Sequence, residues 1–116
     1  MSENLRQQFP KLQLLSSLTK IKDRRSLLKI LCQDELFCKA VREITRNTIA
    51  KNVKLSPSDK RKLRKYKRSI IDLSQKYKDK RKNRKVICQT GSGIFLPIVV
   101  PLVADLLFNL LKPKQG

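Results

Sequence analysis

The segment from Ser56 to Lys85 constrains the fold most, because its few apolar residues recur at helical spacing within a dense run of cations. A capping serine, a proline at the first helical position and an acid at the third mark a helix start at Ser56-Pro57-Ser58-Asp59. The residues that recur every three or four positions would form one narrow apolar stripe: Leu63, Tyr66, Ile70, Leu73 and Tyr77. We predict one long basic helix, roughly 39 Å from Pro57 to about Lys82. Both tyrosines are predicted to pack inward, with stacking of their rings on bases as the alternative.

Positive charge is concentrated in the same segment. Residues 51–85 carry sixteen basic and three acidic side chains, a net charge of +13 out of +19 for the whole chain. Residues 1–50 contribute +5 and residues 86–116 contribute +1. Solubility alone is served by a net charge of roughly 2–8 on a small domain, and self-repulsion at higher charge opposes a compact state. The excess indicates a negatively charged polymer as the partner, with a merely solvated surface as the plainer alternative.

Nucleic acid fits such a segment best, because each neutralised phosphate releases condensed counterion and strengthens binding at low salt. Lysine outnumbers arginine here, and few neutral polar side chains that read base edges are interleaved with the cations. We therefore predict sequence-independent binding, with duplex DNA favoured and a cellular RNA-binding or ribosome-associated factor as an alternative. The predicted phosphate contacts are Lys60, Arg61, Lys62, Arg64, Lys65, Lys67, Arg68, Lys78, Lys80, Arg81, Lys82, Arg84 and Lys85.

The first 55 residues predict helices that would support the basic helix. Their apolar residues fall at helical spacing in two short stripes: Leu12, Leu15, Leu18 and Ile21, then Leu27, Leu28 and Leu31. Asp34 is placed to cap a third helix. The predicted fold is therefore all-α: a small helical bundle in which a long basic helix, residues 56–88, docks its apolar stripe on the helices of residues 1–55.

The C-terminal part predicts a hinged apolar helix. Residues 89–93, with Gly91 and Gly93, have the composition of a hinge, and Pro101 suits the first turn of a helix within the apolar tail of residues 94–116. Three arrangements remain open: a membrane-spanning helix, an amphipathic helix in the membrane interface, or a helix packed on a protein partner or a second copy. The predicted membrane or partner contacts are Phe95, Leu96, Pro97, Pro101, Leu102, Leu106, Leu107 and Phe108.

Catalysis and metal binding are not expected from the residue types present. Histidine is absent, and Cys32, Cys38 and Cys88 form no CxxC pair, so we expect no zinc site. The acids are scattered, so neither a catalytic triad nor a paired-carboxylate site is available. We expect that the protein is not an enzyme and uses no cofactor. Free thiols and a polar start without an apolar signal sequence fit a reducing compartment.

The order of these features resembles a viral family. The capped Lys/Arg-rich segment, the Gly-containing break and Phe95-Leu96-Pro97 followed by Pro101-Leu102 resemble core protein ten, the mu precursor, of adenoviruses. They resemble still more closely the related small proteins of adintoviruses and Maverick/Polinton elements, over roughly residues 55–107. The resemblance implies a virion core protein that condenses packaged DNA, found in the virion and the host nucleus. In it the cations of Lys60–Arg68 and Lys78–Lys85 would neutralise the DNA.

The tail leaves a second function open. A membrane-active viral protein, lytic or lipid-binding, would use the basic helix to meet anionic lipid and the tail to insert. If the protein is instead a virion core protein that condenses DNA, the same tail would contact a capsid protein or a membrane.

Overall fold

Seven α-helices build the part of the chain that this computed structural model describes, residues 2–111, with side chains as far as Leu107. No strand occurs within that part. The fold is a small all-α bundle, which confirms the predicted class. In chain order the helices are α1 (Glu3–Ser17), α2 (Ile21–Leu31), α3 (Glu35–Ile49), α4 (Pro57–Arg64), α5 (Lys67–Ser74), α6 (Lys80–Gly91) and α7 (Phe95–Leu111).

Two helix starts lie where the sequence predicts them. The Asp34 side chain accepts a hydrogen bond from the Leu36 N–H at 2.9 Å and caps α3. The Ser56 hydroxyl accepts one from the Asp59 N–H at 3.0 Å, and Pro57 is the first residue of α4. Each cap satisfies an N–H group that has no partner within its own helix. Both boundaries are therefore set by neighbouring residues alone.

The prediction of a single basic helix over residues 56–88 is wrong, because the chain turns twice within this segment. α4 ends at Arg64, α5 follows a break at residues 65–66, and α6 starts only at Lys80. The supporting helices α1 and α3 have 15 residues each, about 22 Å, so a straight rod of roughly 39 Å would extend past them. Three shorter helices instead bury their own apolar residues: Leu63, Ile70, Leu73 and Ile87.

Asn83 fixes the corner between α5 and α6 from inside. Its buried amide donates to the Tyr77 carbonyl at 2.7 Å and accepts from the Tyr77 N–H at 2.6 Å. The Asp79 side chain caps α6 by accepting a hydrogen bond from the Arg81 N–H at 2.9 Å. Arg46 of α3 donates through Nε to the Ser74 carbonyl at 3.0 Å. These bonds satisfy backbone groups that an unbroken helix would have paired internally.

The predicted hinge at residues 89–93 is a packed corner. Gly91 is the last residue of α6, and Ser92 is buried directly after it. A Cβ added to Gly91 would lie 3.4 Å from Leu28 Cδ1 and 3.6 Å from Leu96 Cδ1. Both distances are ordinary van der Waals contacts, so the position is packed between α2, α6 and α7, whereas a hinge would require freedom there.

Arg24 ties this corner to the N-terminal helices. Its side chain is 5% exposed, and Nε donates to the Ser92 carbonyl at 2.8 Å while Nη1 donates to the Leu18 carbonyl at 2.7 Å. The two carbonyls belong to the α6–α7 turn and the α1–α2 turn. A buried guanidinium is tolerated only with such hydrogen bonds. Arg24 therefore holds together segments that are 68 residues apart.

α7 packs against α1, α3 and α6. It begins at Phe95 rather than near Pro101, and Pro101 lies inside it. Its buried side chains are Phe95, Leu96, Val99, Val100, Val103 and Leu107. The apolar C-terminal helix exists as predicted, but the expectation that it is hinged and free is wrong. The apolar faces of α1 and α3 need a cover, and α7 removes that surface from water along with its own.

Candidate nucleic-acid interface

The predicted phosphate contacts all lie at the surface. All thirteen are exposed, and they are distributed over α4, α5, α6 and the turns between them. The two ion pairs among the described residues join Lys11 to Asp34 at 3.9 Å and Arg42 to Glu35 at 2.7 Å. Neither pair uses a cation of α4–α6. The positive charge of these helices is therefore left available to an external anion.

The broken segment presents its cations in two groups. The first group, Lys60 to Arg68, is carried by α4, the following turn and the start of α5. The second group, Lys78 to Lys85, is carried by the end of the α5–α6 corner and by α6. Since α5 and α6 pack on each other, both groups belong to one folded body, but they do not form the single straight rod that the sequence predicts.

The three acids of residues 51–85 do not offset these cations. Asp59 lies in the first turn of α4, and Asp79 caps α6. A carboxylate is favourable there because it faces the positive end of a helix dipole. Asp72 is exposed on α5. Two of the three acids therefore stabilise helix ends within the basic surface.

The two tyrosines predicted to pack inward are placed differently from each other. Tyr66 is 44% exposed at the turn between α4 and α5, so that prediction is wrong for this residue. Tyr77 is half-buried, and Lys82 Nζ lies 4.3 Å from its ring centroid. The spacing assumed an unbroken helix, and the turn at residues 65–66 changes the direction of the Tyr66 ring. An exposed ring between Lys65 and Lys67 offers a face on which a base can stack.

A cleft between α2 and α6 gathers cations from two distant parts of the sequence. It has a volume of about 720 Å³, and no carboxylate lines it. The lining residues are Arg25, Lys29, Cys32, Arg84, Lys85, Cys88 and Gln89. Sequence reasoning missed Arg25 and Lys29 because they lie outside the dense run. The only local signal is their spacing of four residues on the exposed face of α2.

The thiols lie beside this cleft. Cys32 and Cys88 line it, and Cys38 Sγ donates to the Cys32 carbonyl at 3.5 Å. A hydrogen bond with the Cys38 thiol, together with burial, raises the pKa of Cys32. Burial raises the pKa of Cys88. Both therefore stay protonated near neutral pH. The described residues contain no group of three or more His, Cys, Asp or Glu side chains that could hold a metal ion.

A second cavity, of about 520 Å³, lies where the end of α3 meets α4 and α5. Its lining combines apolar side chains with cations: Leu55, Leu63, Ile70 and Ile71 with Lys51, Lys60, Arg64 and Lys67. Three of these cations, Lys60, Arg64 and Lys67, are predicted phosphate contacts. The cavity therefore belongs to the same basic surface.

Six of the seven predicted membrane or partner contacts whose side chains are described are buried or half-buried. Three are buried (Phe95, Leu96, Leu107), three are half-buried (Pro97, Leu102, Leu106) and one is exposed (Pro101). The side chain of Phe108 lies outside the described part. Within residues 2–107 no single helix has the length and apolar composition to cross a membrane. α6 and the described part of α7 reach that length and composition only as a pair, with an 87° bend between them.

Comparisons with protein-family models, with curated proteins and with solved structures found no match to this chain. Its function is therefore inferred from the charge distribution, the burial and the site geometry given above.

Proposed function

We propose that this is a structural nucleic-acid-binding protein that holds duplex DNA through phosphate contacts, largely without regard to sequence. The observation that carries the proposal is the exposed cation set of α4–α6, no member of which is paired with a carboxylate of the described chain. The resemblance to adenovirus core protein ten supplies the setting of the proposal. The protein would be a virion core protein that condenses packaged viral DNA, in the virion and the host nucleus, with capsid protein as a second partner.

Electrostatic repulsion supports a polyanionic partner. The net charge of +13 over residues 51–85 is held on short helices packed into one body, and salt screens charges only beyond about 8 Å at physiological ionic strength. A polyanion removes this repulsion and releases counterions as it binds. Neither gain depends on base sequence, which favours condensation over site-specific recognition.

Burial of α7 favours this proposal over the alternative of a membrane-active protein. Insertion of the tail would first take its six buried side chains out of the core. At about 1.5–3 kcal/mol for each side chain, this costs about 9–18 kcal/mol before any lipid contact offsets it. The whole stability of a small domain is about 5–15 kcal/mol. Membrane action would therefore require the bundle to unfold.

The salt dependence of DNA binding tests the proposal. We expect the affinity of the full chain for a duplex of random sequence to fall steeply with salt, with a slope of about −0.9 per phosphate contact in a plot of log affinity against log salt. Six to ten contacts correspond to a loss of about 10³–10⁵-fold between 50 and 200 mM salt. An affinity that is indifferent to salt, or no binding in dilute buffer, would contradict the proposal.

A matched pair of variants localises the contacts. Replacing Lys60, Lys62 and Arg64 of α4 with alanine removes three predicted contacts, so the slope should become shallower by about 2.7. The control replaces Arg6, Lys20 and Lys39, which are also exposed, and removes the same residue types and the same charge. Equal changes of slope in both triple variants would mean that net charge, and not this surface, binds DNA.

Competition between duplex DNA and RNA separates the proposed DNA protein from an RNA-binding cellular factor. We expect DNA to compete at least as well as RNA at equal phosphate concentration. A clear preference for RNA would favour the RNA-binding cellular factor. The exposed Tyr66 ring makes single-stranded RNA the sharper competitor.

A further inference from the structure

We propose that the cleft between α2 and α6 is a binding site for an oligophosphate, a compact ligand that carries several adjacent phosphate groups. Four cations line it, two from each helix, and Cys32 and Cys88 line it with them. The site goes beyond the surface proposed for DNA, because half of its charge comes from α2, outside the basic segment. Its cations are Arg25, Lys29, Arg84 and Lys85.

The lining distinguishes this cleft from the second cavity of the basic surface, which is also concave and has four cations but is lined by leucine and isoleucine side chains as well. A cleft lined by charges of one sign concentrates the electrostatic potential more than a convex surface with the same charges. Its volume of about 720 Å³ falls in the range of small-ligand sites, roughly 300–1,000 Å³. A chain of two to four phosphates has about as many charges as the cleft has cations.

The lining chemistry selects phosphate. Arg25 and Arg84 provide planar guanidinium groups, one from each helix, which can each donate two hydrogen bonds to one phosphate. Lys29 and Lys85 add ammonium charges. No carboxylate lines the cleft, and neither ion pair of the described residues uses these four cations. Several negative charges on one ligand would therefore relieve the mutual repulsion of the four cations.

Cys88 provides a reporter inside the cleft. It is half-buried, while Cys32 and Cys38 are buried. At alkaline pH, where more of the Cys88 thiol is ionised despite its raised pKa, a small neutral alkylating reagent should modify Cys88 first in the folded protein. A ligand that occupies the cleft would shield this thiol. The measurement therefore reports on this site and not on binding elsewhere on a protein of net charge +19.

Inorganic tripolyphosphate is the probe for the test. We expect calorimetric titration of the full chain to give one saturable site. At a free concentration of about ten times Kd, mass action predicts about tenfold slower alkylation of Cys88 by iodoacetamide. Replacement of Lys29 and Arg84 with alanine should weaken tripolyphosphate binding by roughly 10- to 100-fold or more, because charged hydrogen bonds are lost.

The matched control replaces Arg6 and Lys39 with alanine, which removes one arginine and one lysine from exposed positions outside the cleft. It should keep the affinity of the wild type within about twofold and keep the protection of Cys88. No saturable binding, equal weakening in both double variants, or binding without protection of Cys88 would each overturn the proposal. Circular dichroism of both variants confirms that the bundle is folded.

A competition arm identifies the source of the phosphates. If a duplex with a 5′-triphosphate end displaces tripolyphosphate and a duplex without phosphorylated ends does not, the ligand is a nucleic-acid end. If neither displaces it, the ligand is a free small molecule. Both results support the site, whereas equal displacement by both duplexes would show that the cleft is part of the DNA surface and would overturn the proposal. A shallower salt dependence of duplex binding in the α4 triple variant, with tripolyphosphate binding unchanged, separates this site from the proposed DNA surface.

Discussion

The basic helices α4–α6 and the apolar helix α7 differ in where their characteristic side chains lie: the cations of the first are exposed, and many apolar side chains of the second are buried. The cations of α4–α6 are exposed and unpaired within the described chain, although they lie in the segment with the clearest local helix signals. α7 has the composition of a surface-active tail, yet it supplies six of the buried side chains. Apolar surface can be satisfied within the chain, by any matching apolar face. Excess charge of one sign cannot be satisfied in this way, which is why we propose an external partner.

The largest effect should come from α7. Leu96 is fully buried, and replacing it with alanine should lower the free energy of unfolding by about 2–5 kcal/mol through lost burial and a cavity. Chemical denaturation measures this change. The control is Leu14→Ala, the same substitution at a position that is 56% exposed. Comparable losses in both variants would mean that α7 is not part of the core.

The next largest effect should come from the arginine that docks the α6–α7 corner. Arg24→Met keeps most of the side-chain volume but removes the donors to the Ser92 and Leu18 carbonyls. We expect a loss of about 2–3 kcal/mol, because a buried acceptor and a half-buried acceptor lose a charged donor. Arg25→Met is the control at an adjacent exposed position, where about 0.5 kcal/mol or less is expected. A larger loss of stability in Arg25→Met than in Arg24→Met would contradict the role of Arg24 in docking this corner.

A smaller effect should come from the corner between α5 and α6. Asn83→Ala removes both hydrogen bonds to the Tyr77 backbone, and we expect a loss of about 1–2 kcal/mol. Amide hydrogen exchange should become faster at Tyr77, whose N–H loses its acceptor. If exchange at this residue stays unchanged while stability falls, the loss comes from packing and the corner is held by other contacts.

The smallest effect on stability should come from the cations themselves. Replacing Lys60, Lys62 and Arg64 with alanine should change the free energy of unfolding by about 0.5 kcal/mol or less for each residue, and added salt should stabilise the wild type more than this variant. Thermal unfolding at low and high salt measures the difference. A large destabilisation at all salt concentrations would show that these cations have a structural role.

The sequence predicted which segment carries the candidate site, but it did not predict which residues lie together there in the fold. The thirteen predicted phosphate contacts come from counting charge along the chain, and each is exposed in the fold. Arg25 and Lys29 were missed because a cleft between α2 and α6 depends on packing between segments about 60 residues apart. The exposure of Tyr66 was missed for a related reason, since only the turn after Arg64 removes it from the apolar stripe.

The sequence by itself determined the all-α class, the caps at Asp34 and Ser56, and the place where positive charge accumulates. These features depend on residues within one or two helical turns of each other, whose interactions are the same in any fold. Tertiary structure decided where the basic segment breaks, that α7 is core and not a free tail, and which cations share a cleft. Those outcomes depend on which apolar faces meet and how long the supporting helices are, because burial of apolar surface has no preferred direction or sequence separation.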